Sequence, residues 1–85
     1  MFPLLLRQAV IKERDSHEIV LLGDEAAFFI NKKTDIVITE YKARGLRTLE
    51  GKACRIHIGD GFFTVVGSVA EVAERIRLYL EDRHA

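Results

Sequence analysis

The chain has 85 residues, of which 48% are hydrophobic and 31% are charged, and its formal net charge at pH 7 is zero. This length and composition exclude a disordered protein and predict a single small domain over residues 1–85. The one cysteine, Cys54, excludes an internal disulfide and favours a reducing compartment. The apolar run Leu4–Leu6 ends at Arg7 and is too short for a membrane helix or a signal sequence. We therefore expect a cytoplasmic protein with no membrane partner.

Short strands are predicted along most of the chain, because apolar and polar residues alternate between turn residues. The first two strands, 3–11 and 17–22, flank a polar stretch at 12–16 that is typical of a hairpin loop. Gly23-Asp24 predicts a further turn. Residues 40–45 leave two alternatives open, the end of a strand or one helical turn. The remaining strands are predicted at 26–30, 35–41, 46–49, 52–58 and 62–66.

The C-terminal part predicts a tight hairpin and one amphipathic helix. Asp60-Gly61 tolerates the positive φ of a hairpin turn, and Phe62–Val66 is the returning strand. Ser68 and Glu71 have the spacing of a capping box, in which each side chain binds the other residue's amide. The helix should run over 69–82, with apolar residues at helical spacing on one face: Val69, Val72, Ala73, Ile76, Tyr79 and Leu80.

The predicted fold class is α+β, since six or seven short strands precede a single helix. We expect an antiparallel β meander over 3–66 with the helix of 69–82 across one face. Two arrangements of the strands stay open at this point. The sheet is either open or closed into a barrel of about six strands.

The cysteine and the histidines do not form a catalytic or metal-binding set. Cys54 and His57 lie three positions apart on a predicted strand, so their side chains point to opposite faces. Cys54 is in register with Ile56 and Ile58, and we expect its thiol to be buried and unreactive. The chain has no CxxC or HxxxH spacing. We expect no catalytic residues, no cofactor and no metal, and thus a protein that is not an enzyme.

A central segment is basic, with five basic residues and Glu50 as the single acidic residue in 41–55. Such a cluster can bind phosphates of nucleic acid or another anion. The alternative is a solvated strand face whose charges pair with Glu40 and Glu50. The candidate contact residues are Lys42, Arg44, Arg47, Lys52 and Arg55.

Two Phe-Phe pairs predict an apolar surface on both faces of the sheet. Because side chains alternate along a strand, one ring of each pair points toward the helix and the other points away. One helix covers one face, so the second face needs barrel closure or a partner. We expect a homodimer, with a further protein partner that the sequence does not identify. The candidate interface residues are Phe28, Phe29, Phe62 and Phe63.

The order of strands and turns over residues 28–76 resembles that of the small flagellar FlbD family. The matching stretches are "FFIN" at 28–31, "IVITE" at 36–40 and "CRIHIGDGFFTVVGSVAEVAERI" at 54–76. In both cases a strand that ends in asparagine, here Asn31, precedes an Ile-rich strand. A serine and a Glu-Val pair then introduce the helix, and here these are Ser68, Glu71 and Val72.

The C-terminal half also resembles the strand–hairpin–helix end of LytTR-type DNA-binding domains. The first 22 residues have no counterpart in FlbD-like proteins. The resemblance implies the same fold class and a protein that is not an enzyme. Together with the residue patterns it predicts a small interaction, assembly or regulatory protein that acts through its surface as a homo-oligomer. The alternative is a nucleic-acid-binding regulator that uses the basic segment at 42–55.

Overall fold

The fold is seen in a computed structural model that describes residues 2–82. Met1 and the tail at 83–85, which belong to the predicted domain, lie outside the described residues. The elements confirm the predicted α+β class and the C-terminal helix. There are six strands, because the strands predicted at 17–22 and 26–30 belong to one strand. The elements are β1 (Leu4–Arg14), β2 (His17–Phe28), β3 (Ile36–Glu40), β4 (Thr48–Glu50), β5 (Ala53–Ile58), β6 (Gly61–Val66) and α1 (Val69–Asp82).

The six strands form one open sheet in the order β3-β5-β6-β1-β2-β4, so the barrel alternative is wrong. The sheet is mostly antiparallel, but its strands do not follow chain order as those of a meander do. β1 joins β6 through Gln8 and Val65, which brings the first and last strands together. β4 lies parallel to β2 at one edge, with Thr48 beside His17.

The hairpin of β1 and β2 is longer than the sequence predicts. Strand pairing continues to Arg14 and His17, so the loop predicted at 12–16 shrinks to the two-residue turn Asp15-Ser16. Asp15 has a φ of 51°, a conformation that Asp tolerates better than most residues. The pairing of Arg14 with His17 therefore extends the two-stranded ribbon beyond the core residues Leu4, Leu6 and Phe28.

Gly23-Asp24 is a bulge in β2 and not the predicted turn. The two residues stand opposite Gln8, where the register of the hairpin shifts. A Cβ atom on Gly23 would lie 3.1 Å from the Gln8 carbonyl oxygen and 3.1 Å from Val10 Cγ2. A larger residue at this position would have to push these atoms back by a few tenths of an ångström, so glycine suits the close approach of the two strands. β2 continues past the bulge to Phe28.

Two further turns differ from the prediction. The β5–β6 turn is Gly59-Asp60, one residue earlier than expected, because Gly59 takes the positive φ of 63°. Gly61 already pairs with Ile58 in the ladder. After β3 the chain is irregular, and a turn closes where the Arg47 amide donates to the Arg44 carbonyl at 3.2 Å. The alternative of a helical turn at 40–45 is therefore not the one adopted.

The main core lies between the sheet and α1. Alternation along β5 directs Cys54 and Ile56 toward the helix, and the prediction that Cys54 is buried is confirmed at 0% exposure. Its burial raises the pKa of the thiol. The core is formed by Leu4, Leu6, Phe28, Ile30, Cys54, Ile56, Val65, Val72 and Ile76.

The predicted capping box begins α1. The Ser68 amide donates to Glu71 Oε1 at 2.9 Å, and the Glu71 amide donates to Ser68 Oγ at 3.1 Å. The bond from the Ser68 amide lowers the pKa of the Glu71 carboxyl.

A side chain in the middle of α1 binds the helix to β1, because Arg75 Nη2 donates to the Leu5 carbonyl at 2.7 Å. The whole chain is elongated, with extents of 48 × 21 × 20 Å.

Candidate interaction surfaces

The outer face of the sheet is the surface of β3, β5 and β6 that points away from α1. Cross-strand pairing places its residues in three adjacent rows. Because the rows alternate with core residues, this face is where the sequence predicted a second apolar layer. Its members are Val37, Thr39, Ala53, Arg55, His57, Phe62, Thr64 and Val66.

One end of the outer face is covered by the chain itself. Ala53 is 3% exposed, although alternation along β5 places it on the side away from the helix. Tyr41 follows β3 and donates its amide to the Ala53 carbonyl at 3.1 Å. Its hydroxyl donates to Glu18 Oε1 at 2.7 Å, and Glu18 is 0% exposed. Burial and this bond raise the pKa of Tyr41.

The burial of Glu18 was not predicted from the sequence. A glutamate in an alternating strand is normally exposed, so its local pattern gives no signal of burial. Its second oxygen, Oε2, accepts no hydrogen bond from the described residues. Arg44 Nε lies 3.6 Å from this oxygen, and Arg44 Nη2 donates to Glu13 Oε2 at 2.6 Å. Arg44 thus links the segment after β3 to the end of the β1–β2 hairpin.

The basic segment is divided among several environments and does not form one cationic patch. Arg44 is bound to the two glutamates of the hairpin, and Arg47 Nε donates to the Asp15 carbonyl at 3.3 Å. These partners differ from Glu40 and Glu50, the pairs that the alternative interpretation expected. Lys42 and Lys52 are exposed.

Arg55 lies between two aromatic rings on the outer face. Its guanidinium carbon is 4.8 Å from the Phe62 ring centroid and 5.4 Å from the Tyr41 centroid, the geometry of cation–π contacts. The His57 ring follows at 5.8 Å from Phe62, and His57 Nε2 is 3.1 Å from Thr39 Oγ1. Planar groups therefore form a partly exposed row across the outer face.

The four candidate phenylalanines separate into one core residue and three exposed ones. Phe28 is 8% exposed and packs edge-on against Phe63, with ring centroids 5.0 Å apart. Its assignment to an interface is wrong, because alternation at the end of β2 directs it into the core. Phe29, Phe62 and Phe63 are 66%, 54% and 42% exposed. Phe62 and Phe63 lie on opposite faces of β6, so the three exposed rings do not form one patch.

A second apolar surface lies on the outer half of the β1–β2 hairpin. We call residues 9–22 the arm. Val10 and Leu21 are direct cross-strand partners at 50% and 42% exposure, and Leu22 on the opposite side is 73% exposed. The run Ile19–Leu22 is apolar without alternation, and that is the sequence signal for a ribbon that is apolar on both faces.

A cleft of about 370 Å³ lies between the start of α1 and the β4–β5 connection, with Tyr41, Lys52 and Ser68 in its lining. The Tyr41 hydroxyl is bound by Glu18 and the Ser68 hydroxyl by the helix cap. Across residues 2–82, no three His, Cys, Asp or Glu side chains converge as metal ligands. In the same residues, the one helix is not long and apolar enough to span a membrane.

Fold and surfaces together define a small α+β protein with an open, mostly antiparallel sheet and one helix. The chain matches no protein-family model, no curated protein and no solved structure. Its resemblance to the FlbD family therefore stays a prediction.

Proposed function

We propose that this protein is a non-enzymatic interaction protein of the cytoplasm that acts through its surface as a homodimer. The observation that carries the proposal is the arm, which exposes Val10, Leu21 and Leu22 on its two faces. Large apolar side chains exposed on both faces of a two-stranded ribbon favour its use as a binding surface. The buried state of Cys54 and its raised pKa also argue against its use as a nucleophile.

Light scattering after size-exclusion chromatography tests the proposal directly. The expected mass at micromolar and higher concentration is twice the 9.7 kDa of one chain. Dilution should shift the population toward single chains by mass action. A mass of one chain at every concentration would contradict the proposal.

A second candidate function is the binding of single-stranded nucleic acid on the outer face. It is favoured by the exposed Phe62 ring, which lies beside the Arg55 guanidinium and the His57 ring. Unpaired bases bind proteins by stacking on aromatic rings and guanidinium groups. This candidate uses Phe62 as the stacking ring with the positive charge of Arg55 beside it, and not the basic segment as a continuous phosphate site.

Fluorescence anisotropy of a labelled single-stranded oligonucleotide tests this second function. Binding should weaken as salt rises, and Phe62→Ala should weaken it by about 1–3 kcal/mol, the value of one stacked base. Phe29→Ala is the matched control, because Phe29 is 66% exposed but lies outside the outer face. No binding at low salt, or an equal loss in both variants, would exclude the outer face as a nucleic-acid site.

A further inference from the structure

We propose that Arg55 on the outer face binds a phosphate of single-stranded nucleic acid, and that Phe62 stacks on the base of the same nucleotide. The inference rests on the second candidate function and specifies the chemistry of its site. Two properties of Arg55 carry it, its fixed position beside an exposed ring and the lack of an acidic partner for its charge.

The guanidinium of Arg55 is held in place by its surroundings. Its central carbon is 5.4 Å from the Tyr41 ring centroid and 4.8 Å from the Phe62 centroid, so two aromatic rings contact it. The direct cross-strand neighbours of Arg55 are Thr39 on β3 and Thr64 on β6. The residue is partly buried but not enclosed. Its cation is therefore positioned before a ligand arrives, which lowers the cost of binding one.

The positive charge of Arg55 is not balanced on the outer face. Three other arginines form ion pairs with glutamates, namely Arg7, Arg44 and Arg77. Arg55 forms no ion pair with any residue from 2 to 82, and its Nε is buried without a hydrogen-bond partner there. The other side chains of the outer face are apolar or belong to threonine and histidine. An anion from outside the chain is thus the partner that this guanidinium lacks.

The neighbouring ring favours a nucleotide as the source of that anion. Phe62 is 54% exposed, and its ring contacts the Arg55 guanidinium. A nucleotide joins a flat base to a phosphate through one sugar, so the ring and the cation can bind two parts of the same unit. The carboxylate of an acidic peptide would pair with the cation and leave the ring uncovered.

Removal of the guanidinium tests the phosphate contact. Arg55→Met keeps an unbranched side chain beside the rings but removes the charge, whereas Arg55→Lys keeps the charge. Arg77→Met is the matched control, because Arg77 lies on α1, away from the outer face, and is bound by Glu74 and Glu81. Circular dichroism checks that each variant is folded.

Fluorescence anisotropy of a labelled oligothymidylate, measured over a series of salt concentrations, gives the affinity of each form. We expect Arg55→Met to bind at least about tenfold more weakly than the wild type. Its slope of log K against log salt should be smaller by about 0.7, the value of one phosphate contact on a single strand. Arg55→Lys should keep the wild-type slope, and Arg77→Met should bind normally.

Nuclear magnetic resonance of the wild type is the second measurement and does not depend on how the variants fold. The Nε–H signal of Arg55 should shift when the oligothymidylate is added, and that of Arg77 should stay in place. A poly-glutamate peptide is the comparison ligand, since it supplies carboxylates without bases. At equal ionic strength it should bind at least about tenfold more weakly than the oligothymidylate, because it has nothing to stack on Phe62.

The outcomes separate this inference from the proposed function. No binding of the oligothymidylate at low salt contradicts the second candidate function and the inference together. Binding that depends on Phe62 but keeps the wild-type salt slope in Arg55→Met means that Arg55 only positions the ring. That result overturns the inference and leaves the function standing. An Arg55 Nε–H signal that stays in place at saturation also overturns it, as does poly-glutamate that binds as tightly as the oligothymidylate.

Discussion

Removal of the Tyr41 hydroxyl by Tyr41→Phe should destabilise the fold by about 2–3 kcal/mol, because it leaves a buried carboxylate without its hydrogen bond. Glu18 is 0% exposed, and the Tyr41 hydroxyl is bound to it at 2.7 Å. Arg44 Nε stands 3.6 Å from the other oxygen and cannot take over this bond. The phenyl ring of the variant would keep the packing against Arg55, so the substitution isolates the hydroxyl.

The expected loss is a large share of the total, since a domain of 85 residues has a free energy of unfolding of about 4–13 kcal/mol. At about 2.1 cal/mol/K per residue, the melting temperature should fall by roughly 11–17 °C. Thermal and urea unfolding followed by circular dichroism measure both quantities. Tyr79→Phe is the control, since the Tyr79 hydroxyl donates to the Phe2 carbonyl outside the core and its loss should cost at most about 1 kcal/mol.

A double-mutant cycle identifies the cause of the loss. Glu18→Leu in the Tyr41→Phe background replaces the whole polar pair by apolar groups and should restore most of the stability. Arg44 is then free of one partner, but its side chain is 73% exposed and still binds Glu13. The reasoning is refuted if Tyr41→Phe costs no more than Tyr79→Phe, or if removal of the Glu18 carboxylate restores nothing.

Three further predictions concern the helix cap and the cysteine. Ser68→Ala should lower the free energy of unfolding by about 1 kcal/mol. Ser68→Thr should lower it less, because threonine keeps the hydroxyl that accepts a hydrogen bond from the Glu71 amide. Equal melting temperatures for the wild type and both variants would contradict the cap. The pKa of Glu71 is lowered in the folded protein. Its ionised carboxylate therefore stabilises the fold at pH values above the ordinary glutamate pKa of about 4.3. This contribution is lost as the pH falls through the lower pKa of the folded state. The free energy of unfolding should therefore fall more steeply with decreasing pH in the wild type than in Glu71→Gln. Parallel curves for the two proteins would exclude a contribution of Glu71 ionisation to stability. The Cys54 thiol should react with a thiol reagent at least about 100-fold more slowly in the native protein than in urea, and fast native labelling would reopen the question of catalysis.

Features set by neighbouring residues could be predicted from the sequence. The capping box of Ser68 and Glu71 depends on four consecutive residues, and the burial of Cys54 depends on alternation within one strand. The class of fold follows in the same way, because each strand and the helix have their own local period. These predictions are confirmed because no distant contact is needed to produce them.

Features set by distant residues could not be predicted in this way. The pairing of β1 with β6 and the parallel position of β4 depend on which strands meet after the chain has turned several times. The burial of Glu18 depends on Tyr41, which is 23 positions away. The exposed apolar arm was missed for a related reason, since Gly23-Asp24 has the composition of a turn but serves as a bulge that lengthens the ribbon.

The bond between Arg75 and the Leu5 carbonyl joins residues 70 positions apart, and it has a consequence for the time course of folding. The β1–β2 and β5–β6 hairpins join neighbouring strands and can form early. The pairing of β1 with β6 can form only after nearly the whole chain has come together. Before that moment Leu4 and Leu6 of β1 have no helix and no sixth strand to cover them. We expect slow refolding compared with helical proteins of this size, with a period in which the incomplete chain is prone to aggregate.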